Sequence, residues 1–182
     1  MTRFLLFCIF GILPFALSAQ SNWAIAFEFQ AYPTGLIPGI RADYQFQRHH
    51  SMHIRAGYNW IRHGNNGVQD DERGDGFGGT LGYRYYFREN WARWFIGARS
   101  DIWRNSLAWK ELGNNGAVLN QGTSEITVFQ PTAEAGYRFP LGGSWFVAPS
   151  AAFGVEINVK TNGAQVGEGA IFLLGISLGR NF

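Results

Sequence analysis

The segment AIFLLGISLGRNF, residues 170–182, alternates large apolar side chains with small or polar ones. The large side chains are Phe172, Leu174, Ile176, Leu178 and Phe182. The positions opposite them hold Gly175, Ser177, Gly179 and Asn181. A period of two predicts a β-strand, because successive side chains of a strand point to opposite faces of the sheet.

The same alternation recurs in seven earlier segments, and no segment has a convincing helical period. The segments are residues 23–32, 37–46, 51–61, 76–87, 91–103, 125–139 and 145–159. Pro131 interrupts the sixth segment and predicts a bulge or irregularity there. The fifth segment is the least regular, because Phe95 and Trp103 fall on its polar side. The sequence therefore predicts an all-β chain of eight strands.

The connections between these segments alternate in length. Short ones follow the second, fourth and sixth segments, at residues 47–50, 88–90 and 140–144. Longer polar ones, predicted as loops, follow the third, fifth and seventh, at residues 62–75, 104–124 and 160–169. The first connection, residues 33–36, is also short. Tight turns on one side and long loops on the other are typical of an antiparallel up-and-down transmembrane β-barrel.

The composition of the 182 residues argues against several classes of protein. Apolar residues are 46% of the chain and charged residues 15%, whereas disordered chains are polar and highly charged. The net charge is only +2 and the arginines are scattered, so no nucleic-acid partner is predicted. The mature sequence has no run of 18 apolar residues, which argues against a transmembrane helix.

Residues 1–19 predict a cleavable signal peptide. Arg3 supplies a positive charge, residues 4–17 are mostly apolar, and the small residues Ala16, Ser18 and Ala19 follow. Cleavage would leave residues 20–182 as a single barrel domain. The one cysteine, Cys8, lies within the signal, so the mature chain is expected to have no disulfide.

Alternation alone does not show whether the apolar face of each strand points into or out of the barrel. A soluble lipocalin-type barrel buries its apolar face. Here the polar face is rich in Gly, Ala, Ser and Thr, which suits a narrow interior, and the chain has only two lysines, Lys110 and Lys160. Aromatic residues gather near the short-turn ends, as in a membrane-interface girdle. The predicted girdle comprises Trp23, Tyr44, Tyr83, Tyr85, Trp94, Tyr137, Trp145 and Phe182. These features favour an apolar face towards lipid.

On these residues the chain resembles the small eight-stranded outer-membrane barrels of the OmpA/OmpX type, without a periplasmic domain. The carboxy-terminal strand, which ends at the aromatic Phe182, is similar to their insertion signal, although Arg180 departs from it. The resemblance implies a Gram-negative outer membrane, contact with its lipid, and recognition of the last strand by the barrel-assembly machinery. It implies no particular activity, because this fold hosts several unrelated ones.

Ten charged residues fall on the face assigned to the interior. The cations are Arg41, Arg55, Arg84, Arg99 and Arg138, and the anions are Glu28, Asp43, Asp101, Glu134 and Glu156. Equal numbers predict a closed ionic network, because an unpaired charge in a narrow lumen is costly. A gate whose pairs exchange partners and admit small ions is the alternative, and catalysis by a carboxylate pair is a weaker one.

Four other motifs suggest sites but favour simpler explanations. A histidine cluster, His49, His50 and His53, is expected to be a solvated turn, and an acidic cluster, Asp70, Asp71, Glu72 and Asp75, a solvated loop. The glycine-rich residues 74–79 lead into a strand rather than a helix, which argues against a phosphate loop. Trp103 and Trp109 flank the longest loop and are expected to anchor at the membrane interface.

No hydroxyl or thiol nucleophile with an oriented base is evident, so the sequence predicts a non-enzyme with no catalytic residues, no metal and no cofactor. The first functional hypothesis is a structural or surface-interaction protein whose extracellular loops, chiefly residues 104–124, contact ligands. The alternative is a narrow, porin-like channel for ions or small solutes. A lipid-modifying enzyme is a third and weaker hypothesis.

Overall fold

The computed structural model describes residues 22–64, 70–113 and 115–182. Eight strands form one sheet: β1 (Trp23–Tyr32), β2 (Gly35–Gln47), β3 (His50–Gly64), β4 (Asp71–Tyr86), β5 (Arg93–Leu112), β6 (Val118–Gly142), β7 (Trp145–Asn162) and β8 (Gly169–Asn181). Each strand pairs antiparallel with the next, and β1 pairs with β8 to close the barrel. The predicted eight-stranded antiparallel meander is confirmed. The predicted signal peptide, residues 1–19, lies outside the described residues.

The apolar side chains point outwards and the polar ones inwards. On β1, Phe27 is 55% exposed whereas its neighbour Glu28 is 2% exposed. The same inversion runs around the barrel, since the exposed large residues include Ile40, Ile54, Leu81, Ile96, Phe153 and Leu174. A water-soluble barrel shows the opposite distribution, so this exterior suits hydrocarbon. In the described part of the chain, no helix is long and apolar enough to cross a membrane.

The strands are longer than predicted at one end of the barrel. Most of the expected loop 104–124 is strand, because β5 and β6 continue to pair from Arg104↔Thr127 to Leu112↔Val118. The expected loop 62–75 is likewise partly a ladder, in which Gly64↔Asp71 is the outermost pair of β3 and β4. The prediction failed because the outward positions of these extensions, such as Arg104 and Lys110, are no longer large and apolar, so the alternation seen in the rest of each strand ends there.

The ladder between β6 and β7 has two register shifts, whereas the β2–β3 and β5–β6 ladders have one each. It has no partnered residues between Phe129↔Ile157 and Thr132↔Gly154, where Pro131 cannot donate a backbone hydrogen bond. The register itself shifts further along, between Thr127↔Lys160 and Val128↔Asn158. The irregularity predicted from Pro131 is therefore present, and a separate bulge lies at Val159.

Candidate functional site

The middle of the barrel holds eight of the ten predicted interior charges in one ion-paired cluster, here called the ionic layer. Its members are Glu28, Arg41, Asp43, Arg55, Arg84, Arg99, Asp101 and Glu134. They come from β1 to β6, where each occupies an inward position of its strand. All are at most 4% exposed, and the four cations match the four anions.

Glu28 is the centre of this layer. Its carboxylate bonds to Arg41 and accepts a 2.9 Å hydrogen bond from Nη1 of Arg55. Arg99 and Arg84 lie farther from it, at 3.7 and 3.9 Å. A single carboxylate thus faces four guanidinium groups, which makes it the residue whose charge the layer most requires.

The remaining carboxylates tie the arginines to one another. Glu134 accepts two hydrogen bonds from Arg84, at 2.6 Å from Nε and 3.0 Å from Nη2. Asp101 lies 2.8 Å from Nη2 of Arg55 and 3.3 Å from Nε of Arg99. Forked donors on planar carboxylates are the strongest ion-pair geometry in proteins. Breaking one of these contacts would leave a buried charge with fewer partners.

Arg138 and Glu156 do not join the ionic layer, so the prediction of a ten-residue network is wrong for these two. The Arg138 guanidinium stacks 3.4 Å from the ring centroid of Phe146 and 4.6 Å from that of Trp91. Glu156 is half-buried opposite Gly169 and forms no ion pair with any described residue. Alternation predicts the face of a residue but not its height in the barrel, and these two lie towards opposite ends.

An apolar layer of buried side chains lies in the barrel at the short-turn end. It consists of Ala24, Ala26, Tyr86, Trp91, Phe95, Phe146 and Ala148. Trp91 lies in the β4–β5 turn, where Asn90, Trp91 and Arg93 have φ angles of 61°, 58° and 70°. Non-glycine residues rarely adopt this left-handed backbone conformation. In this turn the conformation is found together with a buried Trp91 side chain, which packs in the apolar layer.

A second apolar layer fills the interior at the other end. It is formed by Ile37, Ile61, Trp103, Leu107, Ile126, Val128, Ala152, Val166, Ile171 and Leu173. Trp103 is 1% exposed, and its indole Nε1 donates a 3.1 Å hydrogen bond to Gln130. The indole fits over Gly78, where a Cβ atom would lie 2.2 Å from Cε3 of Trp103. The expectation that Trp103 anchors at the membrane interface is therefore wrong. The position of Trp103 on the polar side of the fifth segment already indicated that its side chain points into the barrel.

Trp109 points to the same side of β5 as Trp103, where it packs against Gly122 of β6 and is half-buried. It too is not a lipid-facing anchor. The interior is thus a stack of three layers, with charges in the middle and apolar side chains at both ends. Charged groups enclosed in this way have little access to water, so their ion pairs act in a medium of low dielectric constant.

The predicted girdle residues lie on the outer surface around the short-turn end. Trp23, Tyr83, Trp94, Trp145 and Phe182 are exposed, whereas Tyr44, Tyr85 and Tyr137 are half-buried by neighbouring rings. Ring centroids are 4.7 Å apart in Trp23–Tyr44 and 5.0 Å apart in Trp94–Tyr137. The Arg180 guanidinium lies 5.7 Å from the centroid of Phe182, so the charge that departs from the insertion signal sits at the girdle.

Sequence reasoning missed a second aromatic group at the opposite end of the outer surface. The ring of Tyr58 lies 4.7 Å from that of Phe77 and 5.4 Å from that of Trp60. Their positions near the far ends of two alternating segments could have revealed them. Two aromatic groups bracket the apolar exterior, as expected for a membrane-spanning layer.

The other sequence motifs do not form sites. His53 is 3% exposed inside the barrel, so the expectation of a solvated histidine turn is wrong for this residue. Glu72 is fully buried 3.0 Å from Nδ1 of His63 and is not part of a solvated loop. Residues 74–79 lie within β4. Across residues 22–64, 70–113 and 115–182, no three His, Cys, Asp or Glu side chains are arranged to hold a metal ion.

The end of β5 and the beginning of β6 form a protruding hairpin, residues 104–127, which projects past the other strands. Its β5 arm pairs with β4 as far as Asp71↔Lys110. Its β6 arm pairs with β7 only as far as Glu125↔Asn162, so residues 118–124 have strand partners on β5 alone. Val118 and Leu119 near the tip are 51% and 72% exposed. Beyond Lys110 and Glu125, the described residues of the hairpin form a two-stranded continuation of the barrel wall.

Solved structures with similar folds share little sequence with this chain. The translocator domain of autotransporter NalP from Neisseria meningitidis has a TM-score of 0.51 at 9% identity, over 91% of this chain and 90% of that one. Neisserial surface protein A gives 0.49 at 12% identity, over 88% and 94% of the two chains. Ail, the attachment invasion locus protein of Yersinia pestis, gives 0.49 at 10%, over 87% and 97%. The likeness to the NalP barrel shows the fold alone, a closed barrel of the outer-membrane type.

Sequence comparison gives a family but no characterised relative. No curated protein matches the chain significantly. The model of one protein family matches residues 4–162, which include most of the barrel. The chain therefore belongs to the family described as protein of unknown function, DUF3575.

Proposed function

We propose that this protein is an integral outer-membrane barrel that is closed to solutes and acts at the cell surface through its protruding hairpin. The observation that carries the proposal is the inverted polarity of the barrel, with large apolar side chains exposed outside and ion-paired charges buried inside. Such a surface is stable only where hydrocarbon replaces water.

The height of the apolar exterior supports the membrane location. On β5 the outward positions from Trp94 to Ile102 are apolar or small, a stretch of nine residues. A transmembrane β-strand needs about 9–11 residues when tilted. The next outward positions on β5, Arg104, Ser106, Ala108 and Lys110, include two cations. The protruding hairpin therefore begins where the hydrocarbon would end.

The location is tested by fractionating cells and by running the purified protein on a detergent gel with and without boiling. An outer-membrane barrel is expected in the outer-membrane fraction and changes mobility when boiled. Recovery as a detergent-free soluble monomer would overturn the proposal.

The orientation is tested with single cysteines, since the only natural cysteine is Cys8 near the start of the chain. Lys110→Cys on the protruding hairpin is expected to react with a membrane-impermeant maleimide added to intact cells. Arg88→Cys, in the β4–β5 turn at the opposite end, is the matched control and is expected to react only after lysis. The reverse pattern would place the hairpin in the periplasm.

The closed interior is tested by conductance in planar bilayers. The two apolar layers favour a barrel without steady single-channel openings, whereas such openings would support the alternative of a narrow channel. Arg99→Gln separates a gate from a structural layer, because a gating network should conduct more after the substitution and a structural one should not.

The role of the hairpin is tested by removing residues 111–120 and joining Lys110 to Gln121, which are paired, through Asn-Gly, so that Leu107 and Trp109 are kept. Cells that display the shortened barrel are expected to lose adhesion to host-cell surfaces while the barrel still folds. Equal adhesion by both forms would remove the surface role.

We further propose that the protein is not an enzyme. The pair His63–Glu72 is the nearest approach to a catalytic arrangement, yet no hydroxyl or thiol is bonded to His63 among the described residues. A hydrolase requires its nucleophile within hydrogen-bond reach of the base. Altered acylation of lipid A after incubation with the protein would contradict this proposal.

A further inference from the structure

Three residues form a row across the outer surface of β5, β6 and β7. Arg104 pairs with Thr127, and Thr127 pairs with Lys160. The row would be broken without the β-bulge at Val159, which turns Lys160 to the same outer side as Thr127. As a result, one of the two lysines in the chain stands two strands away from an exposed arginine.

Neither cation of this row, Arg104 or Lys160, has a carboxylate within the ion-pair distance of 4.0 Å among the described residues. Two other exposed arginines do pair, since Arg73 lies 3.0 Å from Asp71 and Arg48 lies 3.3 Å from Glu89. Glu125 and Asn162, which pair with each other one step farther from the apolar exterior, line the same small polar pocket.

The depth of the row is defined by its neighbours. The row immediately below it, Ile102, Phe129 and Ile157, is apolar. Beside it on β4 stands Phe77, which pairs with Arg104 and belongs to the second aromatic group. The row therefore lies at the boundary between hydrocarbon and headgroups on the hairpin side of the membrane.

We propose that Arg104, Thr127 and Lys160 bind the phosphate of a phosphorylated glycolipid headgroup in the leaflet that surrounds the hairpin end. A guanidinium donates two parallel hydrogen bonds to phosphate, and an ammonium adds a point charge. The Thr127 hydroxyl can donate a further hydrogen bond. The carboxylate of Glu125 and the amide of Asn162, one step outwards, are placed to accept hydrogen bonds from sugar hydroxyls. The inference rests on the proposed membrane location and names a lipid class for it.

The test uses the full mature protein, folded in detergent, and three lipids. Lipid A with two phosphates, lipid A from which both phosphates have been removed, and phosphatidylethanolamine are titrated while bound lipid is counted by native mass spectrometry. The wild type is expected to retain phosphorylated lipid A at least about tenfold more tightly than the dephosphorylated form. Equal retention of the two forms would overturn the site without any substitution.

The residues are tested with Arg104→Gln and Lys160→Gln, separately and together. Each cation near a charged headgroup contributes enough that the double variant should bind phosphorylated lipid A roughly tenfold more weakly. Lys110→Gln is the matched control, because Lys110 is an exposed cation on the same strand but farther along the hairpin. An equal loss in the control would show a diffuse charge effect and overturn the assignment to this row.

Two further measurements distinguish failure of the lipid assignment from failure of the membrane location. Displacement of the lipid by an equal concentration of inorganic phosphate would overturn the lipid as ligand, because the acyl chains would then contribute nothing. A protein whose mobility does not change on boiling would instead contradict the membrane location itself. A folded, heat-modifiable barrel with no preference for phosphorylated lipid would remove only this site.

Discussion

Two arginine–glutamate pairs in this barrel have the same chemistry and opposite surroundings. Arg84 and Glu134 share two hydrogen bonds in the ionic layer, and each side chain is 1% exposed. Arg48 and Glu89 meet at 3.3 Å outside the short-turn end, with side chains 81% and 49% exposed. Water and salt screen the outer pair, whereas the inner pair has only its partners to replace the water it has lost. Removing one member should therefore have very different consequences in the two places.

The largest effect is expected from Glu28→Gln, because Glu28 faces Arg41, Arg55, Arg84 and Arg99 within 4.0 Å. The substitution keeps the shape but leaves four buried guanidinium groups with three carboxylates. We expect a loss of about 3–5 kcal/mol in the free energy of unfolding, as for other broken buried ion pairs. Urea unfolding of the detergent-folded barrel measures it. Ser177→Ala removes no charge, only a 3.4 Å contact to Arg41 and a 3.2 Å hydrogen bond to the carbonyl of Ala148, and serves as the control.

A loss below about 1 kcal/mol in the free energy of unfolding for Glu28→Gln would mean that water or ions reach the ionic layer. Removing a charge costs so little only where the charge is accessible to solvent. That result would also favour the channel alternative, so conductance of the same variant should be measured alongside.

The next effect concerns coupling within the buried pair. Glu134→Met alone removes the main carboxylate partner of the buried Arg84 and is expected to lower the free energy of unfolding by several kcal/mol. The double variant Arg84→Met with Glu134→Met replaces both charges by apolar side chains and should recover much of that loss. A double-mutant cycle on unfolding free energies gives the coupling, which we expect at about 1–3 kcal/mol. Additive losses would show that Arg84 and Glu134 act through other members of the layer.

The contrast between buried and exposed charges also explains what could be read from the sequence. A period of two identified all eight strands and placed Glu28, Arg55 and Glu134 inside, because alternation determines the face of a residue. It also assigned Arg138 and Glu156 to the inward face but did not give their height in the barrel, because height depends on register and strand tilt, which no local pattern encodes. Pairing across strands, such as Arg104↔Thr127↔Lys160, is likewise a property of the closed sheet.

The apolar layers were missed for a different reason. Trp103 and Phe95 were visible as exceptions on the polar face, but a polar interior was expected throughout. The structure shows that the glycines opposite them are the other half of the signal, since the Cβ atom of any larger residue at Gly78 would collide with Trp103. Similarly, residues 104–124 were predicted as a loop because the outward positions there, such as Arg104 and Lys110, are no longer large and apolar, although Leu107 on the inward face is buried.

The smallest effect is expected at the exposed pair. Arg48→Gln removes one 3.3 Å contact between two solvated side chains, so the free energy of unfolding should change by at most about 1 kcal/mol. Repeating the measurement in high salt sharpens the comparison, because screening should erase this small difference while the cost of Glu134→Met persists. If Arg48→Gln instead destabilised the barrel as much as Glu134→Met, the exposed turn would be ordered by contacts beyond this ion pair. Burial would then no longer account for the difference between the two pairs.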